Sequence, residues 1–192
     1  MKKWHIFFIM WVTGAWKWTL IDLFKKSDYD IHLPLSCKSR KPRDFEVDWV
    51  DAHFLTEEEF KKRIEKWEFL EHAFVHNWGH YWTLIEDVYD NWILLWKTVL
   101  KELDYNWLVK LQKENPDFRK NYTTIFLNIP NEEIWARVIA RWEKMTEEDY
   151  KNRIASAEIE RWDLNIYDYI IDSHAWHKQE VFDAVLEIIK NK

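Results

Sequence analysis

A segment near the start of the chain combines residue types suited to binding phosphate. Residues 11–19 read W-V-T-G-A-W-K-W-T and follow the apolar run His5–Met10. A phosphate-binding loop needs converging backbone N–H groups, a lysine for the β- and γ-phosphate oxygens, and a Ser or Thr hydroxyl for Mg²⁺. We predict such a loop, with Thr19 as the candidate metal ligand, from these residues: Trp11, Val12, Thr13, Gly14, Ala15, Trp16, Lys17, Trp18 and Thr19.

Tryptophan stands in this loop where such loops carry glycine. Glycine at positions 11, 16 and 18 would give G-V-T-G-A-G-K-G-T, a strong phosphate-loop pattern. The chain has 15 Trp and 2 Gly, whereas average usage would give about 13 glycines. Trp67 follows a helical run where a left-handed C-cap residue is expected. Four further tryptophans complete pairs typical of Asx-Gly turns: Asp48-Trp49, Asn77-Trp78, Asn91-Trp92 and Asn106-Trp107.

We therefore hypothesise that most of these tryptophans are glycines, translated as Trp from a gene that uses UGA for glycine. Trp135 is an exception, because it lies inside a predicted helix, where glycine would cost about 1 kcal/mol relative to alanine. If Trp11, Trp16 and Trp18 are genuine, their indoles fill the volume that a triphosphate needs, and the loop is only a connector.

Composition and charge restrict the class of protein. The formal net charge of −6 argues against general nucleic-acid binding. The single cysteine, Cys37, excludes an internal disulfide and suits a reducing compartment. The apolar run after Lys3 is better explained as a buried strand than as a signal sequence, and no run reaches the roughly 18 apolar residues of a membrane span. We expect a cytoplasmic monomer or homodimer without nucleic-acid or membrane partners.

Strand-like and helix-like segments alternate, which predicts an α/β fold with a mainly parallel central sheet. A capping box, Thr56 with Glu59, marks one helix start. The predicted strands are His5–Met10, Ile31–Ser36, Phe69–His76, His80–Thr83, Leu94–Leu103, Tyr122–Ile129 and Tyr167–Asp172. The predicted helices are Lys17–Lys26, Thr56 to about Lys66, Thr83–Asn91, Asp104–Lys113, Asn131–Arg141, Glu147–Arg161 and Trp176–Lys190.

Four further motifs resemble those of guanylate kinases. Residues 36–52, S-C-K-S-R-K-P-R-D-F-E-V-D-W-V-D-A, resemble the family pattern S-x-T-T-R-x-P-R-x-x-E-x-x-G-x-x-Y. Phe69–Ala73 resembles F-[IL]-E-x-A, and Tyr81–Thr83 resembles Y-G-[TS]. Arg137 with Ala140–Trp142 resembles the lid motif R-x-x-x-R-G, and Arg153 lies where the family has a further lid arginine. The motifs occur in the family's order and cover essentially the whole chain.

The resemblance implies a three-layer P-loop kinase fold with an inserted α+β GMP-binding subdomain and a helical lid. The core would comprise residues 1–35, 91–136 and 161–192, the subdomain about 36–90, and the lid about 137–160. It implies transfer of the γ-phosphoryl group of ATP, the co-substrate, to GMP, with Mg²⁺ as cofactor. The implied catalytic residues are Lys17, Arg137, Arg141 and Arg153. The implied GMP-binding residues are Ser36, Arg40, Arg43, Glu71, Tyr81, Thr83, Glu102 and Asp104.

Two departures and two alternatives accompany this interpretation. Asp44-Phe45 replaces the smaller residues often found after the Pro-Arg pair. Ala52 stands where the motif has a tyrosine that reaches the GMP phosphate; its loss would cost about 0.5–1.5 kcal/mol and raise the KM for GMP. Asp104 fits a helix N-cap equally well. The alternatives are a kinase for another phosphorylated acceptor, which Ala52 favours, and a non-catalytic binding module, which genuine loop tryptophans favour.

Overall fold

The computed structural model describes residues 5–15, 17–42, 46–75, 79–89, 97–140, 145–173 and 177–192. Its strands are β1 (Ile6–Trp11), β2 (Ile31–His32), β3 (Ser36–Lys38), β4 (His53–Phe54), β5 (Phe69–Val75), β6 (Gly79–Leu84), β7 (Thr98–Glu102), β8 (Tyr122–Asn128) and β9 (Tyr169–Asp172). Its α-helices are α1 (Lys17–Lys26), α2 (Glu57–Glu65), α3 (Ile85–Tyr89), α4 (Tyr105–Glu114), α5 (Asn131–Ile139), α6 (Glu147–Glu160) and α7 (Lys178–Lys190). Short 3₁₀ helices cover Pro116–Asn121 and Leu164–Ile166.

The predicted α/β fold with a central parallel sheet is confirmed. Five strands form this sheet in the order β2-β7-β1-β8-β9. Strands β1 and β8 are almost entirely buried, as expected for strands of a parallel sheet that is covered on both faces. The chain divides into two compact units, residues 1–6 with 30–119 (unit 1) and residues 7–29 with 120–192 (unit 2).

Unit 1 contains a four-stranded sheet in the order β4-β3-β6-β5. Strand β3 pairs parallel to β4 and antiparallel to β6, which also pairs with β5. Cys37, Phe60 and Leu84 form a buried apolar cluster between this sheet and α2. The predicted capping box of α2 is confirmed, because Thr56 and Glu59 bond reciprocally to each other's backbone N–H groups.

Aromatic pairs join neighbouring elements of unit 2. Phe24 of α1 lies 4.7 Å, between ring centroids, from Phe182 of α7. Phe126 of β8 stacks on Tyr167 at 4.5 Å. Helix α1 begins and ends at the predicted residues, since its apolar residues recur with helical spacing and basic residues close its last turn.

Several predicted boundaries were wrong for identifiable reasons. The predicted strand Ile31–Ser36 is two strands, β2 and β3, because Pro34 between them lacks a backbone donor. Thr83 belongs to β6 rather than to the following helix, and β7 begins only at Thr98. The predicted Asn106-Trp107 turn is instead the first turn of α4. The predicted turns at Trp78 and Trp92 lie outside the described residues.

Two tryptophans have the left-handed backbone conformation that favours glycine. Trp49 has φ 63° and Trp67 has φ 57°, and among the described residues these are the non-glycine positions with positive φ. Trp67 directly follows Lys66, the C-cap of α2, so the predicted left-handed helix end is confirmed. Both side chains are exposed, at 66% and 86% of their full area.

Candidate active site

The predicted phosphate loop connects a buried strand to a helix, as such loops do. Strand β1 ends at Trp11 and α1 begins at Lys17. The Val12 N–H donates to the Leu127 carbonyl of β8 at 3.0 Å, and the Ala15 N–H donates to the Val12 carbonyl at 3.0 Å. These bonds hold the loop against the carboxyl end of β8, the side where ligands of open parallel sheets bind.

Gly14 is the position in this loop where the backbone requires glycine. Its φ is 90°, and an added Cβ would lie 3.1 Å from Ile129 Cδ1. A side chain there would meet both backbone strain and a close contact. Arg137 is adjacent, because the same Cβ would lie 3.6 Å from the Arg137 Cβ.

Lys17 lies in the first turn of α1, half-buried, where a phosphate-loop lysine is expected. Its Nζ lies 4.1 Å from the centroid of the Trp11 ring, so an indole is next to the lysine ammonium group of the predicted phosphate loop. Thr19 is also half-buried in this turn. Trp16 lies outside the described residues, as does the side chain of Trp18.

Helix α6 brings an arginine to the loop. Arg153 donates from Nη1 to Thr13 Oγ1 at 2.8 Å. Arg137 on α5 is buried at 3% exposure; its Nε and Nη2 donate to Glu133 Oε2 at 2.9 and 2.5 Å, and Nη2 also donates to the Ser173 carbonyl. Unit 2 thus brings Arg137 and Arg153 to the loop, while Arg141 lies outside the described residues.

Sequence reasoning missed Arg161, which forms hydrogen bonds to the segment that connects β8 to α5. Its Nε and Nη1 donate at 2.7 Å to the side-chain oxygens of Asn128 and Asn131, and Nη2 donates to the Ile129 carbonyl. Burial lowers the pKa of Arg161. No sequence signal marks this role, because Arg161 follows a helix as an ordinary polar residue would.

In unit 1, a carboxylate joins two cations of the motif at residues 36–52. Glu46 Oε1 accepts from Lys38 Nζ at 3.0 Å and from Arg40 Nη2 at 2.7 Å, and Oε2 accepts from Arg40 Nη1 at 2.6 Å. The Lys38 and Glu46 side chains are only 2% and 6% exposed. Glu46 occupies the glutamate position of the motif, so the motif itself could have indicated it. Arg43 lies outside the described residues.

The strands of unit 1 bring the predicted guanine-side residues together. Strand pairing places Ser36 opposite Thr83, and Thr83 opposite Glu71. Ser36 Oγ accepts from the buried Lys101 Nζ at 2.8 Å and donates to Glu102 Oε1 at 3.4 Å. Lys101 was not predicted. The side chains of Glu71 and Tyr81 lie outside the described part of the structure.

Two further residues have defined environments. Asp104 caps α4 and accepts from the Asn106 N–H at 2.9 Å, so the predicted N-cap is confirmed. Ala52, at the motif's tyrosine position, is fully buried.

Comparison with known proteins identifies the family to which the chain belongs. The guanylate kinase family model matches residues 13–191. The chain belongs to the guanylate kinase family. It is 32% identical over 178 residues to a guanylate kinase of Helicobacter pylori, covering 93% of this chain and 82% of that protein. It is 34% identical over 177 residues to a guanylate kinase of Clostridium perfringens, covering 92% and 76%.

Solved structures show the same fold. The crystal structure of guanylate kinase from Anaplasma phagocytophilum has a TM-score of 0.72 at 20% identity, covering 100% of this chain and 87% of that one. A shikimate kinase from Bacteroides thetaiotaomicron has a TM-score of 0.51 at 15% identity, so the fold alone leaves the acceptor open. Within the described residues, no helix combines the length and apolar character needed to span a membrane.

Proposed function

We propose that this chain is a guanylate kinase that transfers the γ-phosphoryl group of ATP to GMP, giving ADP and GDP. The observation that carries this proposal is the match of residues 13–191 to the family. The division into a core, a GMP-binding subdomain at about 36–90 and a lid at about 137–160 is part of the proposal.

Phosphoryl transfer depends mainly on positioning and on neutralising charge. We assign Lys17 to the β- and γ-phosphates of ATP, with the N–H groups of the loop around Gly14. Arg153 supports this assignment, because a guanidinium group 2.8 Å from Thr13 Oγ1 can reach a phosphate bound in the same loop. Arg137 and Arg141 are assigned to the transferring group on the family resemblance.

Mg²⁺ fits the oxygen donors that the loop offers. Thr19 supplies a hydroxyl in the first turn of α1, and Mg²⁺ prefers oxygen ligands, among them phosphates and water. Thr19 would hold the ion, which supplies neutralisation of phosphate charge when bound.

The residues of unit 1 that we assign to the acceptor have side chains suited to binding a phosphorylated purine. Arg40 is planar and can bind a phosphate through two parallel hydrogen bonds, as it binds Glu46; Arg43 joins it in the proposal. A Glu71 carboxylate can accept from the N1–H and the 2-amino group of guanine, and adenine has neither of these donors. Pairing of β3, β5 and β6 supports this arrangement. Ser36, Tyr81, Thr83, Glu102 and Asp104 complete the proposed contacts.

We further propose that the tryptophans at glycine positions are glycine in the natural protein. Trp49 and Trp67 support this, because both have positive φ and exposed indoles. An exposed indole contributes little hydrophobic stabilisation. A left-handed backbone conformation costs an L-residue about 1–2 kcal/mol. Trp11 supports it separately, since its ring lies at the Lys17 ammonium.

The same contact favours a second candidate if the tryptophans are genuine. An indole 4.1 Å from Lys17 Nζ would compete with the triphosphate. The chain would then be a binding module that keeps the acceptor half and lacks transfer activity.

Peptide mass spectrometry on the protein from its native host tests the decoding directly. We expect glycine masses at positions 11, 16 and 18, and tryptophan masses there would refute the decoding proposal. In parallel, full-length chains with tryptophan or with glycine at these positions are compared in a coupled ATP:GMP phosphotransfer assay. We expect a difference on the order of 10³-fold, because positioning of the phosphates provides most of the catalysis. An inactive glycine chain that folds would refute the kinase proposal.

A further inference from the structure

Lys38 departs from the family motif two residues before Arg40, which we assign to the acceptor phosphate. The motif has threonine there, and this chain has lysine. The side chain is 2% exposed, and its Nζ lies 3.0 Å from Glu46 Oε1. Arg40 Nη2 contacts the same oxygen at 2.7 Å. The Lys38 ammonium and the Arg40 guanidinium therefore converge on one point.

The second departure, Ala52, directly precedes β4 (His53–Phe54), the strand that pairs with β3. Lys38 and Phe54 are paired in register on β3 and β4, and Lys38 Nζ lies 5.5 Å from the centroid of the Phe54 ring. Ala52 forms an isolated bridge with Asp48; because side chains alternate along extended backbone, we infer that residue 52 points to the same side as residue 54. Ala52 is fully buried. The chain thus has a larger, cationic residue at 38 and a smaller one at 52 than the motif has.

A lysine with only a structural role is unnecessary at this place. Arg40 already binds both oxygens of Glu46, so the carboxylate has a bidentate partner without Lys38. Burial of an ammonium is costly unless it is paired and hydrogen-bonded. Burial lowers the pKa of Lys38, and the hydrogen bond to Glu46 opposes that effect. A phosphate dianion is the ligand that would stabilise both cations.

We propose that Lys38 Nζ binds the phosphate of the acceptor nucleotide in place of the tyrosine hydroxyl that Ala52 removes. This inference rests on the proposed function and adds a residue that determines acceptor affinity. In this proposal the KM for GMP rises less than the loss of the tyrosine at position 52 alone predicts, because Lys38 supplies the missing contact.

Binding of GMP and of guanosine to the full-length chain, measured by isothermal titration calorimetry, tests the proposal. Lys38→Thr should weaken GMP binding about tenfold or more, as expected for loss of a charged hydrogen bond, and leave guanosine binding within about twofold. Ala52→Tyr alone should also weaken GMP binding, because tyrosine and Lys38 would compete for one space. The double variant, which restores the motif, should regain GMP affinity to within about threefold.

Lys62→Thr is the matched control, because Lys62 is 65% exposed and pairs with Glu58 on α2. It should change neither affinity. Lys38→Met keeps most of the side-chain volume and should reproduce the GMP defect if Lys38→Thr folds poorly; circular dichroism checks the fold of each variant.

The outcomes separate this inference from the proposed function. Equal losses for GMP and guanosine, or additive effects in the double variant, would overturn the role of Lys38 while the chain still phosphorylates GMP. If the unsubstituted chain binds AMP instead of GMP, and Lys38→Thr weakens AMP binding but not adenosine binding, the guanine assignment fails and the role of Lys38 stands.

Discussion

The two units hold their candidate site residues by different means. In unit 2 the phosphate loop depends on backbone conformation, as at Gly14 with φ 90°, and its arginines contact neutral oxygens and one carboxylate. In unit 1 the acceptor residues depend on buried charged side chains, in which Glu46 joins Lys38 and Arg40. Bulky side chains at glycine positions can block a site formed by backbone N–H groups. They affect a site formed by charged side chains much less.

This difference explains where the tryptophans matter. Trp11 contacts the Lys17 ammonium in unit 2. In unit 1, Trp49 and Trp67 lie at turn and helix-end positions with exposed indoles. We therefore expect substitutions in unit 2 to change catalysis and those at the unit 1 tryptophans to change stability.

The largest expected effect is in the loop of unit 2. Lys17→Met, in the chain with glycine at positions 11, 16 and 18, should lower kcat for GMP phosphorylation by about 10²- to 10³-fold. We assign the ammonium to charge that develops in the transition state, so the free energy of unfolding should change little. Steady-state kinetics measure the effect, with Lys26→Met as control because Lys26 is exposed on the same helix. A loss below about threefold would place the catalytic charge elsewhere.

In unit 1, Asp87→Ala should lower the free energy of unfolding by about 1–3 kcal/mol. Asp87 Oδ2 accepts from the Leu35 N–H at 2.7 Å, and Oδ1 lies 2.9 Å from His32 Nε2. Burial raises the pKa of Asp87, but the bonds from His32 and Leu35 outweigh it and hold the pKa below its usual value.

The Asp87 effect has a defined pH dependence. Because the folded pKa is depressed, the stabilisation is complete above the unfolded value of about 3.9 and is lost as the pH falls through the folded pKa. Urea unfolding from pH 7 to pH 3 should show the two chains converging at the acid end. A constant difference would mean that the carboxylate charge is irrelevant.

Trp49→Gly and Trp67→Gly should each stabilise unit 1 by about 1 kcal/mol, since relief of the left-handed strain exceeds the added entropy of the unfolded chain. Trp135→Gly is the opposite control: Trp135 lies in α5 with its ring 5.2 Å from that of Tyr150, and glycine there should destabilise by about 1 kcal/mol or more. Thermal unfolding measures all three. Destabilisation by the first two would count against glycine at those positions.

The smallest expected effect is at Thr13. Thr13→Val removes the acceptor of Arg153 Nη1 and should cost about 0.5–1 kcal/mol of stability. We expect kcat to stay within about twofold, because in the proposed reaction phosphate replaces this acceptor. Urea unfolding and steady-state kinetics check the two quantities. A large fall in kcat would show that the Thr13 hydroxyl itself contacts substrate.

The sequence predicted the regular elements better than the contacts between distant residues. Local spacing determines helix α1 and the capping box of α2. The bounds of α1 and the pairing of Thr56 with Glu59 were therefore predicted correctly. The division of β2 from β3 at Pro34 was missed because the apolar run continues across it. Arg161 and Lys101 were missed because their partners, Asn128 and Ser36, are 33 and 65 residues away. No local pattern encodes such pairs.

The buried Cys37 offers a way to measure unfolding of the four-stranded sheet of unit 1. Burial raises the pKa of its thiol to about 12, so the folded protein has almost no thiolate at neutral pH and should resist alkylation and oxidation. Labelling must then wait for the sheet around β3 to open. Because Cys37 is the single cysteine of the chain, its labelling rate reports how often the four-stranded sheet of unit 1 unfolds. A bound nucleotide should slow that rate, and a tighter-binding nucleotide should slow it more.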